Sequence, residues 1–131
     1  LMLETVVEQR GLADEVVRLK SVTAAERFSG RLGGYEVLLP SLVFIDVDLP
    51  DGSGHSIVES LRQRFDEATL PVVVFSGSDD LGDVDRAYDA GANCYLVKPL
   101  TFNEYSRRVT GACRFVAAVV TSETRIGSED R

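Results

Sequence analysis

Three short apolar runs, each bounded by residues that break regular structure, most constrain how this chain can fold. They cover residues 42–45, 72–75 and 94–97. A short continuous apolar run between breakers is typical of a strand that is buried on both faces, as in a parallel sheet. Segments with helical spacing of apolar residues separate these runs. The pattern predicts an α/β fold, a doubly wound parallel sheet with helices on both faces.

The segments around the runs carry the start and stop signals of helices. We place Thr23 at a helix N-cap, and Gly91 at a helix C-cap, where glycine reaches the left-handed region easily. In the helix before Gly91, we expect Leu81, Val84, Ala87 and Tyr88 to face inward. The predicted helices cover residues 1–12, 23–34, 54–65, 79–92 and 102–120, and a further strand covers residues 14–22.

Length and charge narrow the class of protein. The chain has 131 residues and a formal net charge of −7. We expect one domain over residues 1–121 and a polar tail over residues 122–131. The negative charge disfavours nucleic acid as a partner, and no apolar run is long enough to span a membrane. Cys94 and Cys113 have no metal or redox spacing, which favours the reducing cytoplasm.

Each apolar run ends in a polar residue with chemical capacity: Asp46, Ser76 and Lys98 respectively. The carboxyl ends of parallel strands lie at one edge of a sheet, where open α/β folds bind their ligands. A carboxylate can act as nucleophile or cation ligand, while a hydroxyl and an ammonium can bind phosphoryl oxygens. An ordinary solvated turn is the alternative at this point, and Asp51 fits that interpretation.

These residues lie in three motifs that resemble bacterial response-regulator receiver domains. "DVDLPDGSG" is similar to the signature after the third strand of that family, "FSGS" to the end of its fourth strand, and "AGANCYLVKP" to its fifth strand. The three motifs occur in order at the spacing of the family. The resemblance covers nearly the whole chain and implies the flavodoxin-like receiver fold. The chain also resembles the small stand-alone regulators that work with bacterial phytochrome kinases.

The resemblance assigns a role to each polar strand end. It makes Asp46 the acceptor of a phosphoryl group from a histidine kinase, in a switch that is not an enzyme. It implies a Mg²⁺ ion held by the Asp46 carboxylate and the Asp48 backbone carbonyl. Ser76 and Lys98 would bind the phosphoryl oxygens.

Five further positions match the family pattern. Tyr95 corresponds to an aromatic switch residue that moves inward when Ser76 moves. Pro50 lies in the first motif, and Gly54 would permit the tight turn after the site. Gly77 would leave room beside Ser76, and Pro99 would follow a cis peptide bond.

One departure from the family pattern concerns the beginning of the chain. Receiver domains begin with a buried strand that ends in an acidic pair, and this pair supplies most of the metal site. Residues 1–12 instead resemble the helix that follows the strand. We therefore expect an apolar strand with two terminal acidic residues upstream of Leu1, and the metal site of the chain as given lacks that pair. The alternatives are a strand donated by a neighbouring chain and a degenerate domain that binds no metal.

Two rival functions remain at this stage. A phosphatase of the haloacid-dehalogenase type also uses a D-x-D motif, followed by a serine or threonine and a lysine. Here Leu49 and Pro50 follow the motif where that family has a threonine shortly afterwards, and no acidic pair follows Lys98 before the tail. The second rival is a pseudo-receiver that binds partners without phosphorylation.

The last predicted helix is unusually apolar near its end. Phe115, Val116, Val119 and Val120 cover more than one stripe of that helix. A helix that packs on one sheet buries a single stripe, so the second stripe needs a cover. We expect a homodimer through the fourth helix of the family fold, the fifth strand and the last helix. A tail folded back onto its own domain is the alternative.

Overall fold

The computed structural model describes residues 2–12, 19, 21–32, 34 and 39–129. The chain divides into two compact units, Val17–Lys98 and the combination of Leu1–Val16 with Pro99–Arg131. The elements in chain order are α1 (Met2–Arg10), α2 (Val22–Arg31), β1 (Val43–Asp46), β2 (Asp48–Leu49), β3 (Gly52–Ser53), α3 (Gly54–Arg62), β4 (Val72–Ser76), α4 (Leu81–Ala90), β5 (Cys94–Val97) and α5 (Phe102–Glu129).

A parallel sheet forms the centre of the unit Val17–Lys98. Its described strands have the order β1-β4-β5, and both pairings are parallel. All five residues of β4 are buried because this strand has a neighbour on each side. In β5 the residues are only half-buried, since β5 is an edge strand of the described sheet. The predicted α/β fold with a parallel sheet is confirmed, although full burial of the first and third runs was wrong. In β1, the other edge strand of the described sheet, only Ile45 is buried.

Helix α3 covers the sheet with an apolar stripe. Ile57, Val58 and Leu61 are buried in the same cluster as Val72 and Val74 of β4. The spacing of these α3 residues places them on one face of the helix. This packing fixes the start of α3, and therefore the loop that precedes it, next to the carboxyl end of β1.

A half-buried arginine holds the amino-terminal edge of the sheet. The Arg62 guanidinium donates to the Gly91 carbonyl at 2.7 Å, the Leu70 carbonyl at 2.8 Å and Asn93 Oδ1 at 2.7 Å. Burial lowers the pKa of Arg62 below its usual value. These bonds tie the end of α3 to the end of α4 and to the residues that precede β4 and β5.

Several helix boundaries differ from the predicted ones. Ser21, not Thr23, is the N-cap of α2, and its hydroxyl accepts from the Ala24 amide at 3.0 Å. Gly91 follows α4 with φ of 113°, as expected for a C-cap. The last helix continues to Glu129, beyond the predicted end at residue 120 and through most of the segment predicted as a tail.

Two other predictions from the sequence agree with the structure only in part. Leu81 and Tyr88 were expected to face inward, but their exposed fractions are 77% and 47%. Helix α4 buries a narrow stripe centred on Ala87, so these larger side chains remain outside it. The strand predicted over residues 14–22 lies mostly outside the described residues, and its last residue, Val22, begins α2.

The second unit consists of α1 and α5, which pack against each other. Val6 and Val7 of α1 are buried, as are Tyr105 and Val109 of α5. None of the described helices combines the length and the hydropathy of a membrane span.

Candidate functional site

The register of the sheet brings the predicted strand ends to one edge. Asp46 is opposite Phe75 in the β1–β4 pair, and Ser76 is opposite Val97 in the β4–β5 pair. Directly after β5, the Lys98 amide donates to the Ser76 carbonyl at 2.6 Å. Asp46 and Ser76 therefore end two adjacent strands, and Lys98 directly follows the third, at the same edge of the sheet.

The Asp46 carboxylate and the Lys98 ammonium form an ion pair across this edge. Lys98 Nζ lies 2.5 Å from Asp46 Oδ2, and the Asp48 amide donates to Asp46 Oδ1 at 3.1 Å. The side chains of Asp46 and Lys98 are 40% and 36% exposed. A partly solvated pair of this kind adds little to stability. It does hold a carboxylate, which a donor from solvent can reach, beside a cation that can neutralise phosphoryl charge.

The loop after Asp46 forms a small antiparallel hairpin from β2 and β3, with Pro50 in its turn. The hairpin closes next to the end of β1, where the Gly54 amide donates to the Val47 carbonyl at 2.9 Å. A Cβ atom on residue 54 would lie 2.1 Å from the Asp46 carbonyl oxygen. Glycine is therefore required for this close approach, as the turn role predicted for Gly54 implies.

Asp51 fastens the tip of this hairpin to α2. Its carboxylate accepts from the Val22 amide at 2.7 Å, the Thr23 amide at 3.0 Å and the Thr23 hydroxyl at 2.8 Å. The Thr23 and Val22 amides hold the pKa of Asp51 below its usual value. Sequence reasoning treated Asp51 as a turn residue only, because its partners lie far away along the chain.

Ser76 connects the site to the following loop. Ser76 is buried, and its hydroxyl oxygen accepts from the Ser78 amide at 3.1 Å. The Tyr95 hydroxyl donates to the Ser78 carbonyl at 2.7 Å, and the Tyr95 amide donates to the Tyr88 hydroxyl at 3.2 Å. The predicted switch residue Tyr95 is thus linked to Ser76 through one residue, Ser78.

The Ser78 side chain makes a further connection, to the first turn of α4. Its hydroxyl donates to Asp83 Oδ2 at 2.6 Å and accepts from the Asp80 amide at 3.2 Å. Arg86 also binds the Asp83 carboxylate. The Ser78 hydroxyl, and secondarily Arg86, lowers the pKa of Asp83. Sequence reasoning assigned no function to Ser78 or Asp83, and helix-capping patterns alone could not have paired them.

Two structural roles predicted around the site have different outcomes. The peptide bond before Pro99 is trans, since no described peptide bond is cis, so the predicted cis bond was wrong. The trans isomer is the more stable form by about 0.5–1 kcal/mol even before proline. At Gly77, an added Cβ would meet no atom within 4 Å. Its predicted role in leaving room beside Ser76 concerns the bound phosphoryl group and stays a prediction.

The donor set at this edge fits part of the shell of a hard cation. Among the described residues, no group of three or more histidine, cysteine or acidic side chains could hold a metal ion. Asp46 supplies carboxylate oxygens beside the backbone of Asp48. Proteins commonly bind Mg²⁺ through one or two carboxylates, the phosphate of a substrate and several waters. The oxygen donors present therefore suit such an ion, as a partial set of ligands.

Comparison with known proteins assigns the family. The model of the response regulator receiver domain matches residues 3–110. Response regulator Rcp1 from Synechocystis sp. (strain ATCC 27184 / PCC 6803 / Kazusa) is 29% identical over 121 residues, which cover 92% of this chain and 82% of that protein.

Two solved structures are also similar. The phosphorylated cyanobacterial phytochrome response regulator RcpA has a TM-score of 0.76 and 24% identity, with 88% of this chain and 84% of that chain covered. The Mn²⁺-bound form of response regulator Rcp1 has a TM-score of 0.71 and 28% identity, with 84% and 80% covered. This chain belongs to the response-regulator receiver domain family.

Family membership decides between the functions that the sequence left open. It supports a receiver domain over a haloacid-dehalogenase-type phosphatase and over a phosphorylation-independent binding module. Receiver domains are generally signalling switches, not enzymes, and they bind Mg²⁺ or Mn²⁺ at an acidic pocket.

Proposed function

We propose that Asp46 accepts a phosphoryl group from the phosphohistidine of a histidine kinase. The observation that carries this proposal is the ion pair between Asp46 Oδ2 and Lys98 Nζ, 2.5 Å long, at the carboxyl edge of the sheet. A carboxylate oxygen attacks phosphorus, an acyl phosphate P–O bond forms, and the P–N bond to the kinase histidine breaks. The released imidazole retains the electron pair of that bond and is free to bind a proton. Lys98 balances the negative charge that gathers on the phosphoryl oxygens.

A divalent cation at this edge belongs to the same proposal. The Asp46 carboxylate and the Asp48 backbone carbonyl would hold it, with Mg²⁺ as the ion. When bound, the cation supplies further positive charge for the phosphoryl oxygens. The residues of the chain keep the acceptor oxygen in place: the Asp48 amide binds one carboxylate oxygen and Lys98 binds the other.

The partner kinase is proposed to be a bacterial phytochrome. Support comes from the relatives, since RcpA is described as a cyanobacterial phytochrome response regulator and another similar structure as a bacteriophytochrome response regulator. We also propose a cytoplasmic location, in keeping with the two free thiols of Cys94 and Cys113.

Phosphoryl stoichiometry distinguishes this switch from an enzyme. The chain is incubated with acetyl phosphate and Mg²⁺, and intact mass is followed with time. Uptake of a single phosphoryl group per chain supports the proposal. Steady release of product from an aryl phosphate, many times the amount of protein, would instead favour a phosphatase and defeat it.

Ser76→Ala is expected to separate acceptance of the phosphoryl group from the response of Tyr95. The variant keeps Asp46 and Lys98 but loses the hydroxyl that bonds the Ser78 amide. We expect it to take up one phosphoryl group while the NMR signals of the Tyr95 ring no longer change on phosphorylation. Ser29→Ala is the matched control, because its hydroxyl bonds only the Ala25 carbonyl within α2. An unchanged Tyr95 response in Ser76→Ala would contradict the switch assignment.

We also propose homodimerisation through α4, β5 and α5. In support, each of the two helices carries an exposed apolar side chain, with Leu81 of α4 77% exposed and Phe115 of α5 71% exposed. Light scattering at micromolar concentration should give the mass of a dimer, and Phe115→Ser should lower it toward that of a monomer. Leu19, an exposed apolar side chain outside these three elements, provides the control substitution. A monomer both with and without a phosphoryl analogue would refute the proposal.

A further inference from the structure

We infer that Ser78 and Asp83 act as a pair of positioning residues that carry a displacement of Ser76 to the first turn of α4. This path is separate from the one that reaches Tyr95. The inference rests on the proposed function, because the phosphoryl group on Asp46 is what would displace Ser76.

The first step is the bond between the Ser76 hydroxyl and the Ser78 amide, which is 3.1 Å long. A serine hydroxyl has one donor and two acceptor positions, so Ser76 can donate to a phosphoryl oxygen and still accept from this amide. Ser76 is only 2% exposed, which shields its hydroxyl from competing water. When Ser76 turns toward the phosphoryl group, the backbone of Ser78 is drawn with it.

Ser78 forms two connections beyond Ser76, and they use different atoms. The main-chain carbonyl accepts from the Tyr95 hydroxyl at 2.7 Å. The side-chain hydroxyl donates to Asp83 Oδ2 at 2.6 Å. Because one connection uses the backbone and the other uses the side chain, a substitution of the side chain can remove the second connection alone.

The second connection, from the Ser78 hydroxyl to Asp83, is strong enough to shift the start of α4. A hydrogen bond to a carboxylate is about twice as strong as one between neutral groups. Arg86 binds the same carboxylate from within α4, which keeps Asp83 oriented toward Ser78. The Asp80 amide, at the N-cap of α4, also donates to the Ser78 hydroxyl at 3.2 Å. Ser78 therefore contacts both the cap and the first turn of this helix.

The loop has room to move as this path requires. Gly77, between Ser76 and Ser78, is exposed, and an added Cβ there would meet nothing within 4 Å. Asp79 and Asp80 are exposed as well. The residues on both sides of Ser78 are therefore exposed, while its own hydrogen bonds hold Ser78 in place.

Ser78→Ala tests the inference in the full chain. It keeps the amide that binds Ser76 and the carbonyl that binds Tyr95, and removes only the bonds of the hydroxyl. The probe is acetyl phosphate with Mg²⁺, and the readouts are intact mass, the NMR signals of Tyr95 and the amide signals of residues 81–85. We expect normal uptake and a normal Tyr95 response. In the phosphorylated chain, the ratio of shifted to unshifted α4 should fall by about tenfold, the effect of losing one hydrogen bond to a charged group.

Four further variants serve as comparisons and controls. Asp83→Ala should behave like Ser78→Ala, and the double variant should show no additional loss of the α4 response because both changes break the same Ser78–Asp83 bond. Ser78→Thr, which retains a hydroxyl, should restore the α4 response. Asp85→Ala removes an exposed carboxylate of the same helix and should respond like the unmodified chain.

Each result is decisive for one claim. A full α4 response in both Ser78→Ala and Asp83→Ala would overturn the inference while leaving the proposed function standing. Loss of the α4 response in Asp85→Ala as well would also overturn it, because the pair would then have no special part. Absence of phosphoryl uptake by the unmodified chain would overturn the proposed function itself, and with it the inference.

Discussion

Asp46→Asn is expected to abolish phosphoryl uptake from acetyl phosphate and from a phosphorylated kinase. An amide lacks the charged oxygen that attacks phosphorus, although its shape is nearly that of the carboxylate. The ion pair that the substitution breaks is partly exposed, so the free energy of unfolding should change by no more than about 1 kcal/mol. Intact mass after incubation with acetyl phosphate and Mg²⁺ measures uptake, and thermal unfolding measures the fold.

Asp66→Asn is the control for this variant. Asp66 is an exposed carboxylate that accepts from the Thr69 amide at 2.8 Å, in the segment that precedes the amino-terminal end of β4. It should take up one phosphoryl group like the unmodified chain. Uptake by Asp46→Asn at the unmodified rate would show that another residue is the acceptor.

Gly54→Ala is expected to have the largest effect on the fold. The new Cβ would lie 2.1 Å from the Asp46 carbonyl oxygen and 2.7 Å from Ile45 Cγ2. Backbone cannot yield as a flexible side chain can, so α3 or the end of β1 must shift. We expect the free energy of unfolding to fall by about 3 kcal/mol or more, at the upper end for an overpacked site. Urea unfolding followed by circular dichroism suits this chain, which has no tryptophan.

Gly111→Ala gives the matched comparison for Gly54→Ala. Nothing lies within 4 Å of the Cβ that it adds to α5. Alanine is the better helix former, so stability should stay the same or rise by up to about 1 kcal/mol. Equal stability of the two variants would mean that the close approach at residue 54 is not required.

The strands of the sheet could be predicted because the apolar residues of a segment indicate that it is buried. Continuous apolar runs such as residues 72–75 are stable only where both faces of a strand are covered, and β4 is that strand. The same logic placed Asp46 and Lys98 at one edge, since parallel strands end together. Their contact at 2.5 Å follows from this register.

Contacts between residues far apart along the chain could not be predicted from the sequence. Asp51 binds the start of α2 and Arg62 binds the carbonyls of Leu70 and Gly91, yet nothing local marks either partner. Both side chains form hydrogen bonds with backbone groups at the ends of helices and strands, and many polar residues could do so. The N-cap of α2 was misplaced for a related reason, because Thr23 is engaged by Asp51 instead.

Ser78 illustrates the same limit at the site. The sequence "SDD" at residues 78–80 is typical of a helix start, but the N-cap of α4 is Asp80, not Ser78. It gave no sign that Ser78 would bind Asp83 and Tyr95 at once. That arrangement depends on where β5 places Tyr95 relative to the loop, which only the packed sheet determines.

Site mapping of the phosphorylated chain identifies the residue that accepts the phosphoryl group. The unmodified protein is treated with acetyl phosphate and Mg²⁺, the acyl phosphate is trapped by borohydride reduction, and the peptides are sequenced by mass spectrometry. We expect modification of Asp46 alone. Modification of a different carboxylate, or no modification at all, would contradict this expectation.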